Sequence, residues 1–329
     1  MSPASVVADA GPCTPDDALS SAAASLLLLA RTPSSDELVQ AVRDAGSDAV
    51  LVRALLLRGE DASQVHGWLL ALRAHSDADL ICGEARGSSG TLVLAAPRGG
   101  SLSPLSKQSP VVRGSLSPGF ARAELVVSDA DGHLVRLGVE PSMLVDGVPL
   151  AEDLARPAKI QLLAHGPQGP RPVAERVLPA SSSAAAPAPA QLGKPVLGAS
   201  NEPVLAWLAQ LRQSRGSASL RPNRLLDHVA EAHARDVCES GRIAHELTPG
   251  ADPQARLLQA GVKARLVGET VARACDAQTG FMQLGESPSH LLTLVEPRFT
   301  DAGAGTATDD SGRTCLVVLL AAWPRYVGH

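Results

Sequence analysis

The sequence predicts a multidomain chain: an N-terminal helical segment, a small antiparallel β-sandwich-like module and a C-terminal domain that runs from helices into strands. Three observations support this. The segment Ala180 to Ala190, ASSSAAAPAPA, has no apolar periodicity and reads as an extended spacer. Before it, apolar spacing changes near residue 90 from three and four residues to short alternating runs. After it, helical periodicity returns and then gives way to strands. The predicted boundaries are 1–105, 106–180, 181–199 for the spacer and 200–329.

In the first region, Asp17 to Arg31, Ser35 to Ala45 and Ser63 to Ala74 carry apolar stripes, each with a Ser or Asp near its start to cap the first turn. From Thr91 onward the runs are strand-like: Thr91 to Ala96, Val111 to Leu116, Ala123 to Ser128, Leu134 to Val139, Lys159 to Ala164 and Val173 to Leu178. Asp129-Ala130-Asp131-Gly132 is a hairpin signal between two of them. One echo runs through residues 63–97. Gly67-Trp68-Leu69-Leu70, His75, Ile81-Cys82-Gly83 and Thr91 to Pro97 repeat the rhythm of Met282 to Pro324. Chance similarity in an Ala- and Leu-rich chain accounts for it, and a decayed duplication is the alternative.

In the last region, Pro203 to Arg215 is amphipathic and Pro222 suits the first turn of a second helix that stops near Gly241. Asp252-Pro253 opens a third helix and Gly261 closes it. A fourth runs from about Ala277 and restarts at Ser287-Pro288. The strands Thr300 to Thr306 and Thr314 to Ala322 finish the domain, joined by a turn at Asp309-Asp310-Ser311-Gly312.

Composition narrows the function. The 329 residues are 45% hydrophobic and 2% aromatic, so the cores are aliphatic and few rings are available to stack on bases or sugars. A net charge of −5 gives no general pull toward nucleic acid, and none is expected as a partner. No stretch approaches the ~20 apolar residues of a membrane span. The N-terminus lacks the basic and apolar regions of a secretory signal, so either a signal has been removed to leave a mature form or the protein stays inside. The five cysteines show no zinc-type spacing. Two disulfides and one free thiol would suit an oxidising compartment. Cys13 with Cys82, and Cys275 with Cys315, are the pairings that each keep to one domain.

Six motifs in order then mark residues 200–329: Ala234-Arg235-Asp236, Ile243-Ala244-His245, Gly268-Glu269-Thr270, Ser287-Pro288-Ser289-His290, Phe299 to Gly305, and Leu316 to Ala322. Together they resemble the CAP superfamily (cysteine-rich secretory, antigen 5 and pathogenesis-related proteins, with the bacterial SCP-like forms). The resemblance implies an α-β-α sandwich with a cleft where two His and two acids converge, holding a divalent metal in some members. Carried over, His245 and His290 take the histidine positions and Glu269 the first acid. The second acid falls on Thr279, Thr270 replaces the usual Asn, and Leu284 replaces a Trp. Asp276 is the better substitute acid in sequence, ahead of Glu286.

The resemblance therefore implies a secreted or envelope-associated (extracellular or periplasmic) protein. Its CAP domain would be a non-catalytic binding module with an eroded His/Glu cleft, engaging a protein, lipid or cell-envelope ligand. Zinc or another divalent metal on His245, His290 and Glu269 would make a metal-assisted hydrolase the alternative. A hydrogen-bonded network of the same three residues needs no metal. A third reading, binding of a lipid or small apolar ligand, would use Phe281 and Met282 to line a groove. His228 and His233 read as ordinary helix histidines, with His233 also a candidate to line the cleft. Ser287 reads as a helix cap rather than a nucleophile, and Cys238 as helix packing or half of a disulfide. No G-x-S-x-G elbow or phosphate-binding loop is present.

Overall fold

The structure is a computed structural model, and it describes residues 11–59, 61–76, 78–105, 111–120, 122–156, 158–178 and 202–324. The expected spacer lies outside the described residues. The rest divides into two compact units. The first contains the described residues up to Val127, Arg136–Ala164 and those from Pro172 to 178; the second contains Ser128–Val135, His165–Arg171 and those from 202 onward.

The first unit begins with β1 (Thr14–Pro15), α1 (Asp17–Leu27), α2 (Ser35–Asp44), β2 (Arg53–Leu57), α3 (Ala62–Ala74), β3 (Asp79–Gly87) and β4 (Gly90–Arg98). Each helix opens on a side-chain cap: Asp16, Ser34 in a capping box with Glu37, and Asp61. Residues 1–105 were expected to be mainly helical, ending in a strand. They also hold a four-stranded sheet in the order β1-β3-β4-β2. Arg53–Leu57 and Asp79–Gly87 escape the alternation rule because helices cover both sheet faces. Leu92, Leu94 and Ala96 pack under α1 and α2. Val93 and Ala95 pack under α3.

The chain continues through β5 (Gly100–Leu102), β6 (Val111–Val112), β7 (Gly114–Leu116), β8 (Ala123–Ser128), β9 (Leu134–Val139), α4 (Pro141–Asp146), β10 (Val148–Pro149), β11 (Ala158–Gly166) and β12 (Gly169–Leu178). The expected sandwich-like module is one four-stranded sheet, β12-β11-β8-β9, with two two-stranded ladders, β10-β6 and β5-β7. Its core gathers Leu102, Val112, Leu125, Leu144, Ile160 and Leu162. The Asp129 turn closes β8 onto β9 through Asp129 N to His133 O at 3.1 Å.

The second unit contains α5 (Glu202–Ser214), β13 (Arg221–Pro222), α6 (Arg224–Ser240), α7 (Pro253–Gln259), β14 (Leu266–Ala274), α8 (Ala277–Glu286), α9 (Pro288–Leu294), β15 (Asp301–Thr308) and β16 (Thr314–Ala322). Its sheet order is β13-β15-β16-β14, which leaves β14 at an edge. One core joins α6 and α7 to Val271, Val317, Leu319 and Ala321. On the opposite face another joins α5, α8 and α9 to Ala272, Leu316, Val318 and Leu320. This is the α-β-α layering that the motifs implied. Pro222 pairs in β13, and Asn223 caps α6 instead, its Oδ1 accepting from Leu225 N at 3.1 Å. Gly241 ends α6 in the left-handed conformation, φ 67°. Arg212, fully buried, donates to Leu294 O at 2.7 Å and Glu296 O at 3.1 Å, pinning α5 to the end of α9.

Two disulfides form. Cys13–Cys82 is as expected, but Cys315 pairs with Cys238 rather than Cys275. The reason is the alternation of β16. The Cys315 side chain shares a face with Val317 and Leu319, under the helix that carries Cys238. Cys275 lies one residue beyond the last paired residue of β14 and is exposed, with a free thiol.

Candidate functional site

The motif residues converge beside the edge strand β14. His233 occupies the buried stripe of α6, between Ala230 and Ala234, and is 2% exposed. A histidine there must find a polar partner inside the protein. Its Nε2 lies 3.0 Å from the Ala244 carbonyl and 3.7 Å from Glu269 Oε1. His245 follows on the loop that the Gly241 cap starts. Arg256 lies on α7, whose first turn is set by Pro253 and by Asp252 accepting from Ala255 N at 2.7 Å.

Glu269 projects from β14 toward α6 and α7, with its side chain 1% exposed. His245 Nδ1 lies 2.9 Å from Oε1, and the Arg256 guanidinium is ion-paired to Oε2. Arg256 also donates to the carbonyls of His245 at 2.7 Å and Ala251 at 2.6 Å, so it ties the His245 loop to the carboxylate. Burial alone would raise the Glu269 pKa. The His245 hydrogen bond and the charges of His245, Arg256 and His233 outweigh it, and the net shift is downward. Glu269 is an ionised carboxylate with partners on both oxygens.

His290 sits on α9, which packs against β14, and its Nδ1 is buried without a hydrogen-bond partner. Burial first, and then the charge of His245, push its pKa down to about 3. It is therefore a neutral imidazole near pH 7. On the face of β14 opposite Glu269, Thr270 Oγ1 is also buried and unpartnered.

The remaining predicted residues are elsewhere or otherwise engaged. Thr279 lies in the first turn of α8, and Asp276 is that helix's cap, accepting from Thr279 N at 2.7 Å and Thr279 Oγ1 at 3.1 Å. Asp276 is exposed and Glu286 is exposed. Phe281 is fully buried against Trp207, with ring centroids 5.4 Å apart, so it belongs to the core and lines no groove. Among the described residues, no group of three or more His, Cys, Asp or Glu is arranged to hold a metal ion. Of the two residues that complete the cluster, His233 was legible as a polar interruption of an apolar stripe. Arg256 carried no signal, because an arginine on a short surface helix is ordinary.

The cluster predicts an acid-sensitive domain. The folded-state pKa of His290 lies below its unfolded value of 6.5, so the unfolded chain takes up the proton first. Stability is complete above pH 6.5 and declines toward pH 3, by up to about 1.4 kcal/mol per pH unit. Glu269 adds to the loss below its ordinary 4.5. Denaturant midpoints of the wild type and His290→Gln between pH 7.5 and 5 check the His290 part. The wild type should fall more steeply with acid, and parallel curves would contradict this assignment.

Comparison with known proteins adds the family. The model of the cysteine-rich secretory protein family, CAP, matches residues 205–320. No curated protein matches the chain. Among solved structures, an outer surface protein from Borrelia burgdorferi is similar at 22% identity and TM-score 0.35, over 37% of this chain and 92% of that one. An extracellular SCP-domain protein from Bacillus anthracis is similar at 11% identity and TM-score 0.34, over 67% and 84%. A cysteine-rich secretory protein from Staphylococcus aureus is similar at 11% identity and TM-score 0.32, over 67% and 85%.

Proposed function

Residues 205–320 form a CAP domain, and we propose that this domain serves as a non-catalytic binding module in a secreted or envelope-exposed protein. One observation carries the reading. Both oxygens of Glu269 are already engaged, one by His245 and the other by Arg256. A divalent cation would have to displace a guanidinium from the only acid of the cluster, and the second acid position is Thr279. A bound metal would supply Lewis-acid activation of water, and the available donors would be the imidazoles of His245 and His290. Two imidazoles with no free carboxylate fit that role poorly. Arg256 supplies the positive charge instead, and the cluster fixes the shape of the cleft edge.

Cysteine chemistry supports the proposed compartment. Cys13–Cys82 and Cys238–Cys315 are bridged, which suits an oxidising environment. No described helix is long and apolar enough to cross a membrane. The ligand would be a protein or cell-envelope component. Incubating the purified chain with casein and with small ester and peptide substrates tests the central negative. No turnover is expected; hydrolysis that disappears in His290→Ala would overturn the reading.

A further inference from the structure

We infer that residues 13–98 are a second, reduced copy of the sandwich formed by residues 220–323, keeping its frame and lacking its polar cluster. The sheets β1-β3-β4-β2 and β13-β15-β16-β14 have the same order. In each, the first pair is parallel and the other two are antiparallel. Chain-connection rules favour a limited set of topologies, so order alone could recur by chance. Register is more demanding, and it agrees as well.

Pro15 pairs with Cys82, and Pro222 pairs with Ala302. The cap residue that follows each proline donates across to the partner strand: Asp16 N to Cys82 O at 2.7 Å, and Asn223 N to Ala302 O at 2.9 Å. From those caps the helices run in step. Leu19, Ala22, Ala23, Leu26 and Leu27 are buried in α1, and so are Leu226, Val229, Ala230, His233 and Ala234 in α6, each 207 positions later. Gly83 and Gly303 follow the matched strand residues. A Cβ on Gly83 would collide with Leu19 and Ser20, and one on Gly303 with Leu226 and Asp227, the matched pairs. The echo in sequence over residues 63–97 covers only the second half of this copy.

The same register shows what the first copy lacks. Cys82 pairs with Ala95 as Ala302 pairs with Leu320, so Leu94 matches Leu319. Leu94 faces Ala54, whereas Leu319 faces Glu269. Ala54 thus stands where Glu269 would be, and Leu26 where His233 would be. No histidine lies between α1 and α2. Among the described residues, the matched positions of the first copy are therefore apolar, and that copy is a frame without the polar cluster.

The correspondence can be tested by moving a disulfide. It sends Cys13 to Leu220 and Cys82 to Ala302, and the native pair has its Cα atoms 5.9 Å apart, within disulfide range. Leu220→Cys with Ala302→Cys, made in the full chain with Cys275→Ser, should close a new bridge in most molecules. Non-reducing peptide mapping would find it alongside Cys238–Cys315. The displaced pair Ser219→Cys with Ala302→Cys should remain reduced. Free thiols at 220 and 302 in a protein whose native bridges are intact, or equal closure of both pairs, would overturn the inference. If the variant does not fold, an experimental structure of the wild-type chain decides. Residues 14–20, 81–87 and 90–96 must superpose on 221–227, 301–307 and 315–321 with β1 parallel to β3, and any other arrangement contradicts the duplication.

Discussion

Replacing Glu269 with alanine is expected to unfold much of the C-terminal domain at temperatures where the wild type is intact. The carboxylate is the common partner of His245 and Arg256 and lies beside His233. Without it, a guanidinium with 11% of its side chain exposed keeps its charge and loses its counter-ion. Breaking a buried pair from one side costs about 3–5 kcal/mol. Glu269→Gln should cost less, because the amide retains an acceptor for His245 or Arg256 while losing the charge. Replacing both partners, Glu269→Leu with Arg256→Met, should recover part of the loss, since no uncompensated charge remains. Chemical denaturation of the four proteins checks this order. A Glu269→Ala variant as stable as the wild type would show that the cluster is not a structural pin.

The second large effect comes from Gly305. A Cβ at this position of β15 would overlap the Ala230 and Glu231 backbone of α6. Backbone cannot swing aside as a flexible side chain does, so Gly305→Val must push α6 off the sheet. Overpacking usually costs about 1–3 kcal/mol and sometimes more, and this site belongs at the upper end. The displacement would also move His233, one turn further along α6, and Cys238 beyond it. The expected result is a lower melting temperature together with slower formation of the Cys238–Cys315 bridge on oxidative refolding. Gly312→Ala is the control, because its Cβ would meet nothing within 4 Å and only its φ of 78° is strained. Similar losses in the two variants would count against close packing as the cause.

These two residues also show what the sequence could reveal. The Gly303-Ala304-Gly305 step was legible as a strand step, but its purpose required the helix lying on it. The strands Ala123–Ser128, Leu134–Val139 and Thr314–Ala322 begin and end where alternation and turn residues place them. β14 was not legible as a strand. Its LVGETVARA mixes a glycine, an acid and an arginine, because one face carries the polar cluster and the other packs on α8 and α9. His245, Glu269 and His290 were found by motif order, and two of them are in direct contact. Arg256 was not, since nothing local to a short helix tells which of its residues will meet a carboxylate 13 positions away. The cysteine partners illustrate the same limit. Keeping each bridge within one predicted domain was the ground for pairing Cys275 with Cys315, but Cys238 lies in that domain too, and the face of β16 chose it.

At the centre of the proposed function stands Arg256, in the electrostatic role a divalent metal would otherwise take. Metal analysis of chelator-free protein, followed by zinc titration of the wild type and Arg256→Met, tests that role most directly. The wild-type chain should carry well under one zinc and show no saturable uptake. One-site binding should become measurable once the guanidinium is gone and Glu269 is released. A wild-type chain that retains one zinc, and loses it in His245→Ala and His290→Ala, would show that the guanidinium does not stand in for a metal.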